Sequence, residues 1–167
     1  MTWALTPVGA DLRPIIGTAA DCIAQRGPDL GARMAGAVDD CFARGAGRVV
    51  IIGADAPHLG PAAVTAAFAA LAAADVVLTP TRDGGYCLLG LREPRDLFRD
   101  VEMGTSRVFA QTMTRAAALG LRVVLQPETF DVDEWDDVER LRALIDAGTV
   151  DLPHTAAALS AAARAGA

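Results

Sequence analysis

Val49-Val50-Ile51-Ile52-Gly53-Ala54-Asp55-Ala56-Pro57-His58-Leu59 is the stretch that decides how the chain is read. Four β-branched residues in a row, followed by Gly and Ala, predict a strand buried on both faces, of the kind found in the middle of parallel sheets. An acid follows at once, on a Gly-Ala-Asp-Ala-Pro turn. Open α/β sheets bind their ligands just beyond the carboxyl ends of their strands. Asp55 is therefore a candidate to meet ligand and metal. The plainer alternative is that it caps a helix beginning near Pro61, since acids are common at helix starts.

The rest of the chain supports an α/β setting. Its 167 residues suit one domain with a core large enough to fold unaided. The hydrophobic share is 52 %, much of it alanine. Net charge is −6, and all 15 basic residues are Arg. Without Lys there is no lysine-dependent phosphate loop and no Schiff base, and the acidic balance argues against a nucleic-acid surface. Cys22, Cys41 and Cys87 have no metal-ligand spacing and read as reduced thiols of a cytoplasmic protein. No apolar run reaches the ~18–20 residues needed to span a bilayer, and no basic n-region marks a secretory signal.

Trp3 to Pro7 predicts a short strand closed by a Gly turn, and Asp11 to Ala24 a short helix and then a strand near Cys22. Gln25 to Gly31 is a loop broken by two Gly and a Pro. Asp29 caps a helix whose apolar face carries Leu30, Met34, Ala37, Val38 and Cys41. Gly45 and Gly47 end it, and the Val49–Ile52 strand follows, which is the grammar of a parallel sheet. Pro61 opens an alanine-rich helix to about Ala73. Strands are expected over 75–80, 86–91 and 121–125. Helices are expected from Thr105 or Ser106 to Gly120, over 134–147, and in the alanine-rich end. Residues 1–150 read as one domain and 151–167 as a C-terminal helix or tail.

Four acidic or Gly-rich turns follow strands or open helices: Gly27–Gly31, Gly53–Pro57, Arg82–Tyr86 and Phe130–Asp137. Asp83-Gly84-Gly85-Tyr86 alone could be a hairpin turn. Asp131 and Asp133, two apart on an extended segment, point the same way, although a solvated acidic loop would look alike. Two carboxylates from distant parts of the chain meeting at one sheet edge suit Mg²⁺ or Mn²⁺ bound to phosphates. Such an ion takes one or two carboxylates and completes its shell with phosphate oxygens and water. A nucleotide diphosphate thus fits better than a hydride carrier, and neither a Gly-x-Gly-x-x-Gly nor a Gly-x-x-x-x-Gly-Lys motif is present.

In order and spacing, Gln25–Met34, Gly53–Leu59, Asp83–Leu91, Gly104–Val108 and Phe130–Asp137 resemble a bacterial glycosyltransferase-like family. Its members are often named arsenosugar-biosynthesis glycosyltransferases or a domain of unknown function. The resemblance covers roughly Thr2 to Leu144. It implies a three-layer α/β/α sandwich with a mostly parallel sheet, the glycosyltransferase-A or nucleotide-diphospho-sugar transferase fold. It also implies a relation to guanylyltransferases of cofactor metabolism. By this resemblance Asp55 and Asp133 match metal-binding acids, and Gln25, Gly27, Leu30, Gly31 and Arg33 match the segment against the nucleotide. Asp83 matches the catalytic or acceptor-orienting acid, with Gly84, Gly85 and Tyr86 on the acceptor side.

The implied reaction is Mg²⁺- or Mn²⁺-dependent glycosyl transfer from a nucleotide-sugar donor to a small-molecule acceptor. Nucleotidyl transfer and a non-catalytic assembly protein are the alternatives. The chain departs from the family pattern where Asp133-Glu134-Trp135-Asp136-Asp137 replaces the usual turn residues and where Met103 replaces an aromatic. It also begins at what would be the family's second strand, without the first strand and its basic phosphate loop. An unpaired strand edge then predicts a homodimer completing the sheet. Arg33 and Arg107 are candidate phosphate partners, set against surface salt bridges. His58 is a candidate contact to ion or acceptor, set against a plain loop residue. Cys87 reads as core, because no base partner is visible, and His154 as solvated.

Overall fold

The computed structural model describes residues 1–6 and 21–165. The elements follow in the order β1 Thr2–Leu5, β2 Asp21–Ala24, α1 Leu30–Ala43, β3 Val49–Ile52, α2 Pro61–Ala70, β4 Val76–Pro80 and β5 Tyr86–Leu91. Then come α3 Val108–Ala118, β6 Val123–Leu125, α4 Trp135–Asp146 and α5 Pro153–Ala165. The turn expected after Pro7 and the short helix expected after Asp11 lie outside the described residues.

Local chemistry sets the helix ends. Asp29 is the N-cap of α1 and accepts a hydrogen bond from Ala32 N at 2.8 Å. Pro61 occupies the first turn of α2, where its missing N–H costs nothing. A reciprocal capping box between Glu134 and Asp137 starts α4.

The strands form two groups. β1 and β2 pair in parallel, and the other four pair in the order β3-β5-β4-β6. β5 runs antiparallel to both β3 and β4, while β4 and β6 are parallel. Hence β3, β4 and β6 share one direction and β5 alone reverses. Helix α1 packs on both β2 and β3 and so links the two groups.

Alternation along the strands separates two cores. Val49, Val76, Leu78, Leu89 and Leu91 meet α1 and α3 on one face, with Leu97 and Phe98. Val77 and Leu88 meet Ala67 and Leu71 of the α2 region on the other. This is the three-layer arrangement expected from the sequence. The burial of β3 differs from expectation. Only Val49 of its four residues is buried, and Ile52 is 44 % exposed. Among the described residues β3 is paired only with β5, so one edge lacks a strand. The covered strands are β4 and β5, each buried at all but one residue, because each has neighbours on both sides.

Candidate functional site

Because β3, β4 and β6 run the same way, their carboxyl ends lie at one edge of the sheet, where β5 begins. Three acid-bearing turns therefore arrive together from distant sequence: Gly53–Pro57 after β3, Thr81–Gly85 between β4 and β5, and 126–134 after β6. Backbone hydrogen bonds stitch them. Val132 N donates to Asp55 O and Thr129 N to Pro80 O, both at 2.9 Å. Thr81 and Thr129 form a further parallel bridge.

Each acid is set by its turn. A Cβ on Gly53 would lie 2.2 Å from Asp55 Oδ1, so the glycine leaves room for the carboxylate to fold back over the backbone. Asp83 Oδ1 accepts from Thr81 Oγ1 at 2.6 Å and Gly85 N at 3.0 Å, the side-chain turn typical of aspartate. Gly84 has φ +92° and its carbonyl accepts from Phe109 N at 2.9 Å, docking the turn on the start of α3. Thr129, Phe130 and Val132 hold the segment that carries Asp131 and Asp133.

The acids act on one another electrostatically. Burial first, then the charges of Asp83, Asp133 and Asp55, hold the Asp131 carboxyl above the usual carboxylate range. The same negative field reaches Cys87. Burial, followed by Asp131, Asp55 and Asp83, pushes its thiol up to about 11. That thiol is an inert core group, as its sequence suggested. A cavity of about 280 Å³ opens beside the acids, lined by Asp83, Asp131, Asp133, Glu134 and Asp137 with Arg82, Arg140 and Phe130. Asp55 stands just outside this lining. Among the described residues no three His, Cys, Asp or Glu form a ready-made metal cage. The donor set fits an ion that takes one or two carboxylates and completes its shell with phosphate and water.

The other candidates are placed as follows. Tyr86 is half-buried, and burial raises its phenol pKa. Thr112 is near enough to offset that rise in part, yet neither hydroxyl closes a hydrogen bond of ordinary geometry. His58 is engaged by the segment after β6: its Nε2 lies 2.7 Å from Thr129 Oγ1 and its ring stacks on Phe130. Burial lowers its pKa, which keeps it neutral at neutral pH.

The loop expected to hold the nucleotide is knit mainly to itself and to β1. Gln25 Nε2 donates to Ala4 O at 3.0 Å, and Arg33 Nε donates to Gly27 O at 3.2 Å. Gly27 has φ +140°, and a Cβ there would sit 2.7 Å from Ala32 Cβ. Leu30 is 50 % exposed. Gly31 does line a cavity, of about 530 Å³, between α1 and residues 96–103, where it faces Met103. Gln25, Gly27, Leu30 and Arg33 do not line it. Arg107 pairs with Glu102 at the surface. His154 is exposed.

Sequence reasoning assigned no role to Asp131, Thr81, Thr129, Arg82, Phe130 or Arg140. Only Asp131 carried a signal, its period-two relation to Asp133. The others matter through contacts between turns that are far apart in sequence.

Comparison with known proteins agrees with the fold. A family described as an uncharacterized protein conserved in bacteria (DUF2064) matches residues 6–105. That region holds Asp55 and Asp83, while Asp131 and Asp133 lie beyond it. No functionally curated protein matches. The fold is similar to a solved protein of Desulfovibrio desulfuricans G20, provisionally described as a nucleotide-diphospho-sugar transferase. The TM-score is 0.85 and the identity 31 %, over 95 % of this chain and 72 % of that one.

Proposed function

The chain belongs to the bacterial DUF2064 family and has a glycosyltransferase-A-like fold, and on that premise we propose that it transfers a glycosyl group from a nucleotide-diphospho-sugar to a small-molecule acceptor. The observation that carries the reading is the meeting of Asp55, Asp83, Asp131 and Asp133 at the carboxyl edge of the sheet. Burial first, and then repulsion from Asp83, Asp133 and Asp55, raises the pKa of Asp131. A divalent cation relieves that repulsion.

Asp55 and Asp133 are the residues that would hold Mg²⁺ or Mn²⁺, with Asp131 beside them. When bound, such an ion neutralises charge on the diphosphate leaving group. The chain's own residues position the rest. The two hydrogen bonds on Asp83 Oδ1 leave Oδ2 to orient an acceptor hydroxyl or take its proton. Gly84, Gly85 and Tyr86 form the acceptor wall, with the glycines letting backbone approach the substrate. The Gln25–Arg33 loop and the Gly31 cavity are the place for the nucleotide.

Thermal unfolding with a panel of UDP-, GDP-, ADP- and CDP-sugars, with and without Mn²⁺, tests this. A native-state ligand at 100 times its dissociation constant adds about 2.7 kcal/mol. A rise in midpoint with one diphospho-sugar that requires Mn²⁺, and that Asp55→Asn removes, is expected. A rise with nucleoside triphosphates alone would favour nucleotidyl transfer, and no rise with any donor would refute the reading.

A further inference from the structure

His58 lies on the turn that carries Asp55, but it reaches across to the segment that carries Asp131 and Asp133. Its ring stacks on Phe130 with centroids 4.1 Å apart and planes within 10°. Its Nε2 bonds Thr129 Oγ1 at 2.7 Å. Its Nδ1 is buried without a partner. With one nitrogen committed, the other enclosed and the ring covered by Phe130, His58 has no free atom for an ion or an acceptor.

The stack continues on Phe130. The Arg140 guanidinium carbon lies 5.2 Å from the Phe130 centroid, a cation–π distance. Arg140 Nη1 also binds Asp137 Oδ1 at 2.6 Å, and Asp137 Oδ2 accepts from Glu134 N at 3.2 Å. One chain of contacts thus runs from the Asp55 turn through His58, Phe130 and Arg140 to the start of α4. Thr129, the hydrogen-bond partner of His58, is also bridged to Thr81, which holds Asp83.

We propose that His58 is a positioning residue that sets the spacing between Asp55 and the Asp131–Asp133 segment through its stack on Phe130 and its bond to Thr129. The inference rests on the reading of this edge as a cation site. The acids themselves repel, so no attraction among them holds the turns together. Apart from the Val132–Asp55 backbone bond, the named contacts joining the Asp55 turn to the acid segment are those of His58. Groups that orient metal ligands typically change metal affinity 10–100-fold when removed.

The test is a double-mutant cycle of His58→Ala and Phe130→Ala read by binding of Mn²⁺ alone, with amide exchange of Val132 followed in parallel. Each single variant is expected to weaken Mn²⁺ binding roughly tenfold, and the double variant no further than either. His58→Phe keeps a ring and core volume against Phe130 but loses the Thr129 bond, which guards against a variant that merely fails to fold. Val132 exchange is expected to quicken in it while the midpoint of unfolding holds. Unchanged Mn²⁺ affinity in folded His58→Ala, or additive losses in the cycle, would overturn the proposal. If the wild-type protein binds no Mn²⁺, the cation reading of the edge fails. The exchange arm then decides the clamp: faster exchange of Val132 in His58→Phe sustains it, and unchanged exchange overturns it.

Discussion

Gly53→Ala and Gly84→Ala insert the same methyl group against obstacles at nearly the same distance, yet opposite outcomes are expected. At Gly53 the new Cβ would lie 2.2 Å from Asp55 Oδ1, the end of a side chain that is exposed and free to turn. The carboxylate must retreat by about 1 Å or more to reach ordinary contact. That movement costs little stability, on the order of 0.5 kcal/mol as for surface changes generally. A misplacement of this size at a reacting centre can nevertheless cost about 10²-fold in rate. At Gly84 the obstacle is Ser106 O, 2.1 Å from the new Cβ, and the backbone stands at φ +92°. The left-handed conformation costs a non-glycine residue roughly 1–2 kcal/mol. Forcing the turn off α3 also breaks the Phe109–Gly84 bond, about 1 kcal/mol, and overpacking adds about 1–3 kcal/mol. The sum is roughly 3–6 kcal/mol, at about 2–4 °C per kcal/mol for a chain of this size. A lowering of the midpoint on the order of 10 °C follows. Calorimetry of both variants, with Mn²⁺-dependent nucleotide-sugar binding measured on each, checks the pair. Gly53→Ala should melt like the wild type and lose ligand-dependent stabilisation. Unchanged ligand stabilisation in Gly53→Ala, or a Gly84→Ala midpoint within 2 °C of wild type, would refute the reasoning.

Asp131→Asn should raise the midpoint of the metal-free protein at neutral pH, because it removes a charge repelled by Asp83, Asp133 and Asp55. The same change should abolish any Mn²⁺-dependent rise, so the two unfolding curves should cross over on adding metal. His58 has its pKa lowered by burial from an ordinary value of 6.5, so the unfolded state takes up its proton first. Its contribution to stability is full above that value and is lost as the pH falls toward the folded pKa. Chemical denaturation across this range should show a fall that His58→Phe removes. Tyr86→Phe deletes a buried hydroxyl without a hydrogen-bond partner and should leave stability unchanged or slightly raised. A fall of more than about 1 kcal/mol would mean that the hydroxyl is bonded after all.

Much of the architecture was legible because it depends on local pattern. The helix starts at Asp29 and Pro61, the stripes of α1 and α3, and the apolar runs of β4 and β5 all announce themselves within a few residues. The Val49–Ile52 run misled on burial, because its composition reports what a strand tolerates and not how many neighbours it has. Asp55, Asp83 and Asp133 stood out as acids on turns after strands, and the sheet brings them to one edge. The nucleotide loop is less well separated from its structural duties: Gln25 and Arg33 spend hydrogen bonds on Ala4 and Gly27.

By itself the sequence determined the elements, the acids on their turns and the glycines that let those turns form. These follow from backbone sterics and periodicity, which act over a few residues. Only tertiary structure decided that β5 reverses, that β3 keeps an open edge among the described residues, and that His58 packs on Phe130 and bonds Thr129. Those outcomes depend on pairing, packing and charge between segments far apart in the chain. The same holds for Asp131, whose carboxyl is held above the usual range first by burial and then by the charges of Asp83, Asp133 and Asp55, all of which the fold supplies.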